Sequence, residues 1–531
     1  MKKSAILLLL ILIILIGSFL RLYRLTEIPA GLMQDEAGGG YDAYALIQTG
    51  KDHHGVKLPV TFQAFNDWVS HSYTYQLIPF VTTFGLSVFS IRLSVVALSL
   101  VTVILMYYLG KILTGNNLLS ILMAFFFSVS QFAVTISRWS IPPNTVPFYT
   151  ALSLFVFYSG IQSIHKRNLL LGLSGLLFGL TLYTYPSIEG ILPVWIIGSL
   201  ILVIKAKKKT FRKLGLLIIV FVLTALPLFI NHLTNPQTVT SRLSMISIVS
   251  LTNNPLLNYL KNYLSYYLPF FLFLPGEINP TRTVPGYGYE NPVLGLFYYI
   301  GLFYLFFRYK ALVNQFPQLD KTKINSLRLF VLLFPLIPSL TLPSGDFQRA
   351  THYLPIMIFI ISIGIFLSYD FLIRITFKTR QTGARFIIIS FVTLYLYFQY
   401  SYFRSYFGPL YQGITQWYFQ NGLEEVVKFT SLNEKSYQTI VIDNTINMPY
   451  IYVLFYKKVD PNTLDYQDFA QIDPQTKWLS VKKFQSYSFQ KVSEEDIQGG
   501  KLLKNIYNSP FSNYVIYEKD KNLIVKFEIT N

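Results

Sequence analysis

Ser4-Ala-Ile-Leu-Leu-Leu-Leu-Ile-Leu-Ile-Ile-Leu-Ile-Gly-Ser-Phe-Leu20, preceded by Met1-Lys2-Lys3, decides how the rest of the chain is read. The run resembles a secretory leader, but it is long for one, and Arg21-Leu-Tyr-Arg24 stands where small residues would mark cleavage. It is therefore read as a first membrane span. Ten further apolar segments follow near 90–113, 117–136, 144–164, 168–185, 188–204, 213–230, 291–308, 326–342, 351–373 and 385–402. The expected fold is mainly α: a polytopic membrane helix bundle of about eleven spans in residues 1–402, with long outer loops at 23–89 and 231–290. A small extracytoplasmic α/β domain is expected over 403–531.

Composition agrees with that class. Of 531 residues, 52% are hydrophobic and only 13% charged, with a mean hydropathy of +0.42, too apolar for a soluble chain of this length. The absence of cysteine excludes disulfides, thiolate metal sites and cysteine nucleophiles. The net charge of +18 does not point to nucleic acid. Residues 403–531 hold 14 bases and 14 acids, so the whole excess lies among the spans, where it sets topology. Bases gather at Lys2-Lys3, Lys111, Lys166-Arg167, Lys205-Ala-Lys-Lys-Lys209, Arg308 to Arg328 and Arg374 to Arg385, which puts the N-terminus in the cytoplasm. With eleven spans, the C-terminal domain is then outside, and the expected location is the plasma membrane.

Past the first span lies Met33-Gln34-Asp35-Glu36-Ala37, with two adjacent carboxylates in a loop too polar for lipid. Acids favour helix N-termini, so capping is one reading. The other is chemical: Asp35 as a base, with Glu36 binding substrate or tuning Asp35 through like charge. Acids cluster on the same face, including Asp52, Glu189 and Glu277, as candidates for a cavity or acceptor site. Outer-face cations could bind a phosphate: Arg138 after the third span, Lys57, Arg282 and Arg349, with His352, Tyr183 and Tyr185 as further donors. Asp52-His53-His54 has poor metal spacing, so no cofactor or metal is expected. Gly38-Gly39-Gly40 lacks the strand context of a nucleotide cradle.

Several motifs resemble, in order, those of bacterial relatives of the protein O-mannosyltransferases and of the lipid A aminoarabinose transferase. They are Asp35-Glu36-Ala37, Gly50-Lys51-Asp52 with Gly55 and Pro59, Ile91-Arg92-Leu93, Ser137-Arg138, Gly179 to Tyr185, Phe273 to Glu277, and Arg349 with Tyr353-Leu-Pro355. The resemblance implies a GT-C fold and a polyprenyl-phosphate-linked sugar donor, with inversion at the anomeric carbon. It also implies Asp35 and Glu36 as the catalytic acidic pair and Arg138 as the family's arginine. The expected activity is transfer of a sugar to a surface acceptor, whether protein, lipid or envelope glycan. The alternative is a transporter or flippase of lipid-linked sugars, which would favour broken helices and charges deep in the membrane.

Overall fold

The computed structural model describes residues 2–65, 67–69, 71–206, 211–276, 279–342, 345–376, 381–464, 470–472 and 479–529. The chain opens with α1 (Lys3–Leu22), then a long-loop unit of α2 (Gln34–Thr49), the short hairpin β1 (Phe62–Ala64) and β2 (Asp67–Val69), and α3 (His71–Phe84). The bundle continues through α4 (Val88–Thr114), α5 (Asn117–Val129), α6 (Gln131–Ser137), α7 (Val146–Gln162), α8 (Arg167–Leu182), α9 (Pro186–Ala206) and α10 (Phe211–Thr234). Four short helices occupy the second long loop: α11 (Gln237–Ile246), α12 (Ile248–Leu251), α13 (Pro255–Ser265) and α14 (Pro269–Leu272). The last bundle helices are α15 (Pro292–Phe307), α16 (Tyr309–Gln315), α17 (Lys321–Leu333), α18 (Leu354–Thr376) and α19 (Gln381–Tyr406).

Among the described residues, seven helical segments are long and apolar enough to cross a bilayer, and two bent pairs bring the number to nine. The pairs are α5–α6, bent by 52°, and α15–α16, bent by 99°. Seven of the eleven expected spans thus form long helices and two are bent pairs. The other two, 144–164 and 168–185, form α7 and α8, which at 17 and 16 residues fall short of a full crossing at 1.5 Å per residue. The α5–α6 break has a local cause: Ser130 caps the new helix through Oγ, and the buried Glu290 accepts from that hydroxyl. Lys207 to Lys209 of the expected charge anchor lie outside the described residues.

After α19 come α20 (Pro409–Thr415), α21 (Leu423–Asn433), β3 (Thr439–Asp443) and α22 (Pro449–Lys457). They are followed by β4 (Ala470–Ile472), β5 (Leu479–Val481), β6 (Lys483–Phe484), β7 (Tyr487–Gln490), β8 (Lys501–Ser509), β9 (Ser512–Lys519) and β10 (Asn522–Ile529). Six strands form one mixed sheet in the order β6-β7-β3-β10-β9-β8, with β3 parallel to both β7 and β10. One reading needs correction. Tyr450-Ile-Tyr-Val-Leu-Phe-Tyr456 looks like a strand in sequence but is the helix α22, started by Pro449 in its first turn. A short run buried on every side carries no period to separate the two forms.

The C-terminal domain does not stand apart. Its Leu423, Ile440, Ile451 and Phe455 share one apolar core with Leu32, Ala37, Tyr41 and Tyr73 of the first long loop.

Candidate active site

Gln34, Asp35 and Glu36 form the first turn of α2, the end at which the helix dipole favours negative charge. The two acids have different fates. Glu36 is fully buried and faces Arg92, a charged residue inside the apolar span α4. Arg92 Nε donates to Glu36 Oε1 at 3.0 Å and Nη2 to Oε2 at 3.1 Å, the bidentate geometry that suits guanidinium to carboxylate. The remaining donors of Arg92 meet the carbonyls of Leu25, Pro29 and Gly31 at 3.1, 2.9 and 2.8 Å. Glu36 also accepts the amides of Met33 at 3.2 Å and Ser140 at 2.9 Å. With four bonds on its two oxygens, Glu36 is a fixed anchor and not the substrate-facing partner expected from sequence.

Asp35, next in the turn, is half-buried. It lies within electrostatic reach of two buried phenols, Tyr73 on α3 and Tyr452 on α22. Burial pushes both phenols well above their ordinary ionisation range, and the charges of Asp35 and Glu36 add to the effect. The Asp35 carboxylate therefore sits where the first loop meets the C-terminal domain.

The glycine triplet has a packing role. A β-carbon on Gly39 would lie 2.4 Å from Cε1 of Tyr73, and one on Gly40 would lie 2.8 Å from Cε2 of Phe455. Tyr73 cannot swing away, because its hydroxyl donates to the carbonyl of Ser140. Gly39→Ala is expected to destabilise the protein by about 1–3 kcal/mol through overpacking, read as a lower thermal unfolding midpoint.

Arg138 is corrected in the same way as Glu36. Expected to face a phosphate, it is fully buried, and its guanidinium donates to the carbonyls of Leu20, Arg21, Tyr23, Arg24 and Ile28 at 2.7–3.3 Å. Tyr406 and Phe407 cover it, with ring centroids 5.9 and 5.2 Å away. It ties the exit of α1 to the end of α19. His352 is also inside the bundle, its Nε2 3.1 Å from the carbonyl of Phe334 and its Nδ1 without a hydrogen-bond partner, so it does not present itself to a headgroup.

Arg282 and Arg349 do converge. Both reach Asp346, at 2.9 and 3.0 Å, a buried carboxylate that sequence reasoning did not single out. From this hub a polar chain runs back toward Glu36. Arg282 donates to Gln348, Gln348 to Asn144, and Asn144 to the Trp139 carbonyl, whose next residue supplies the Ser140 amide.

The other candidates are dispersed. Tyr183 donates to the Thr224 carbonyl at 2.7 Å and accepts from the Leu228 amide, tying α8 to α10. Tyr185 is the exception: it is half-buried near Tyr266, whose hydroxyl donates to the Asp346 carbonyl, so it lies beside the Asp346 cluster. Glu189 meets His232 at 3.1 Å. Lys57 is exposed on the turn that follows α2. Asp52 is buried and accepts the amides of His54 and Val56, which holds that turn closed. Glu277 lies outside the described residues.

Another buried acid, Asp42, accepts the amide of His53 at 2.9 Å and shares a hydrogen bond of 2.5 Å with its Nδ1. Burial raises the Asp42 carboxyl to about 7 and lowers the His53 imidazole to about 4. The raised acid favours folding below its ordinary 3.8 and loses that contribution as pH rises through 7. The lowered imidazole favours folding above 6.5 and loses it as pH falls through 4. Between pH 4 and 6.5 the two slopes oppose each other. The adjoining Asp52, raised to about 6, and His54, lowered to about 3, oppose each other over most of the same window, so Asp42→Asn is expected to leave a net slope of the histidine sign. The variant's unfolding free energy should climb with pH across that window, by up to about 1.4 kcal/mol per pH unit, where the parent is nearly flat.

Residues 11–239 match the family described as dolichyl-phosphate-mannose-protein mannosyltransferase. No curated protein sequence matches the chain. Among solved structures, apo ArnT from Cupriavidus metallidurans is similar at 9% identity and a TM-score of 0.51, over 86% of this chain and 84% of that one. The same protein bound to undecaprenyl phosphate gives 10% identity and a TM-score of 0.50, over 86% and 85%. The archaeal oligosaccharyltransferase AglB from Archaeoglobus fulgidus, in complex with an inhibitory peptide and a dolichol-phosphate, gives 11% and 0.50, over 86% of this chain and 64% of that one. The chain is a multi-pass membrane protein with the ArnT-like GT-C fold, resembling the protein O-mannosyltransferase and lipid A aminoarabinose transferase family of GT-C glycosyltransferases.

Proposed function

We propose that the protein is an inverting glycosyltransferase that moves a sugar from a polyprenyl-phosphate carrier to an acceptor at the outer face of the plasma membrane. The observation that carries this reading is the half-buried Asp35 carboxylate, held at the start of α2 by the buried Glu36–Arg92 pair, within the residues that match the mannosyltransferase family. Sugar transfer from a lipid phosphate needs one base. The acceptor's oxygen or nitrogen bonds to the anomeric carbon while the bond from that carbon to the phosphate oxygen breaks through an oxocarbenium-like state. Asp35 takes the acceptor's proton as this happens. The carrier departs as a phosphate anion that needs no protonation, so no second acid is required, which suits a site where Glu36 is already engaged.

Arg282 and Arg349, gathered at Asp346, are assigned to the carrier phosphate, where fixed cations stabilise the charge that develops on departure. The relatives give this donor class support: one ArnT structure holds undecaprenyl phosphate, and the AglB structure holds a dolichol-phosphate. The test is transfer by the purified protein in vesicles, supplied with a panel of polyprenyl-phosphate sugars and with membrane extracts as acceptor. Release of polyprenyl phosphate with a matching glycosylated product is expected for at least one donor. Passage of intact donor across the bilayer with no product would favour the flippase instead.

A further inference from the structure

Besides Asn444 to Tyr456, most of which is the buried helix α22, two long stretches of the C-terminal region carry no charged residue: Phe407 to Gly422, and Asn505 to Tyr517. That is unusual where the region from residue 403 onward holds 28 charges in all, half of each sign. The fold brings the two stretches together. The first contains α20, which starts at Pro409, three residues beyond the end of the membrane helix α19 at Tyr406. Extended chain advances at most about 3.5 Å per residue, so α20 begins within roughly 10 Å of the end of that helix. The second stretch is the tip of the β8–β9 hairpin.

Several contacts lock the hairpin onto α20 and the segment after it. A β-carbon on Gly413 would lie 3.4 Å from Pro510 Cγ, and Tyr507 Oη donates to Gln416 at 3.0 Å. Asn421 and Asn508 exchange side-chain bonds to each other's carbonyls at 3.0 and 2.8 Å. Apart from Asn505, what remains fully exposed is apolar or aromatic. Leu410 is 76% exposed and Phe511 63%, and Tyr507, Trp417 and Tyr418 are also open.

We infer that this surface is a bilayer-interface contact, with Leu410 and Phe511 inserted at headgroup depth and the tyrosines and Trp417 in the aromatic belt beside them. Three observations select lipid over another occupant. The surface continues directly from a membrane helix, and Arg404, exposed in the last turn of α19, supplies the cation that commonly meets lipid phosphate at that depth. Both stretches lack the charges that would resist partition from water. Their Trp and Tyr content is that of an interfacial girdle. The contact reaches the candidate site through Phe419. Its neighbours Trp417 and Tyr418 face out, while Phe419 is buried against Trp139 and its carbonyl accepts the Leu32 amide at 2.5 Å, ahead of Asp35.

The chain has no native cysteine, so single labels can be placed without background. Leu410→Cys, Phe511→Cys and, as a control, Leu432→Cys are each labelled with a nitroxide and reconstituted in vesicles of zwitterionic and anionic phospholipid. Leu432 is 86% exposed on α21, away from both charge-free stretches. The expected result is a severalfold higher ratio of oxygen to aqueous nickel-complex accessibility at 410 and 511 than at 432. Labels at 410 and 511 as open to the nickel complex as the control would overturn the inference. So would labels immobilised and shielded from both reagents, which would mean a protein partner or a second copy covers the surface. All three sites are exposed, so folding is not at stake, and the measurement does not depend on sugar transfer.

Discussion

Asp35→Asn is expected to lower sugar transfer by about 10²–10⁴-fold, the range contributed by a positioned general base, while leaving insertion and the unfolding midpoint near those of the parent. Asn keeps the side chain's shape, so the turn it occupies should persist. What it removes is the capacity to take the acceptor's proton. Donor binding should change little, because the groups assigned to the phosphate sit around Asp346, on other segments. The loss should therefore fall on kcat at saturating donor. Transfer by Asp35→Asn within a few-fold of the parent would remove Asp35 from the mechanism and leave the enzymatic reading without its central group.

The largest stability effect is expected at Arg92. Replacing it with Leu leaves the Glu36 carboxylate buried without its cation and three carbonyls without donors, a change that typically costs about 3–5 kcal/mol. The double replacement Arg92→Leu with Glu36→Gln should recover part of the loss. Removing both charges avoids the stranded one, and a double-mutant cycle on the unfolding free energy measures the coupling. Activity should fall with stability, since Asp35 follows Glu36's backbone. Arg138→Gln supplies the contrast. If the arginine is a carbonyl clamp, as its five backbone acceptors imply, the unfolding midpoint drops and donor KM holds; a raised donor KM with unchanged stability would restore the phosphate role expected from sequence.

What could be read in advance follows from how each feature is written in the chain. Spans are legible because crossing a bilayer needs an unbroken apolar run, and each of the eleven proposed segments corresponds to a helix or a bent helix pair. Where the reading overreached, at α7 and α8, hydropathy gave the presence of the helices but not whether each reaches the full thickness. The Asp35-Glu36 pair was equally visible, yet adjacency alone could not say which acid is buried. That depends on Arg92, more than fifty positions away, and a guanidinium inside an apolar span was the available clue. Arg138 shows the converse error. An arginine beside a tryptophan at the end of a span is the pattern of an interface anchor, and only tertiary packing reveals the carbonyls around it. Asp346 passed unnoticed because nothing local distinguishes it from any loop acid; its meaning comes from Arg282 and Arg349.

The bond from the Leu32 amide to the Phe419 carbonyl has a bearing on biogenesis. One partner leaves the ribosome before most of the bundle helices and the other only after them. A nascent chain halted before Phe419 would thus insert its helices with the segment ahead of Asp35 held by Arg92 but lacking its bond to the C-terminal region. If Asp35 is the base, as proposed, its surroundings are then complete only once the last domain has been delivered.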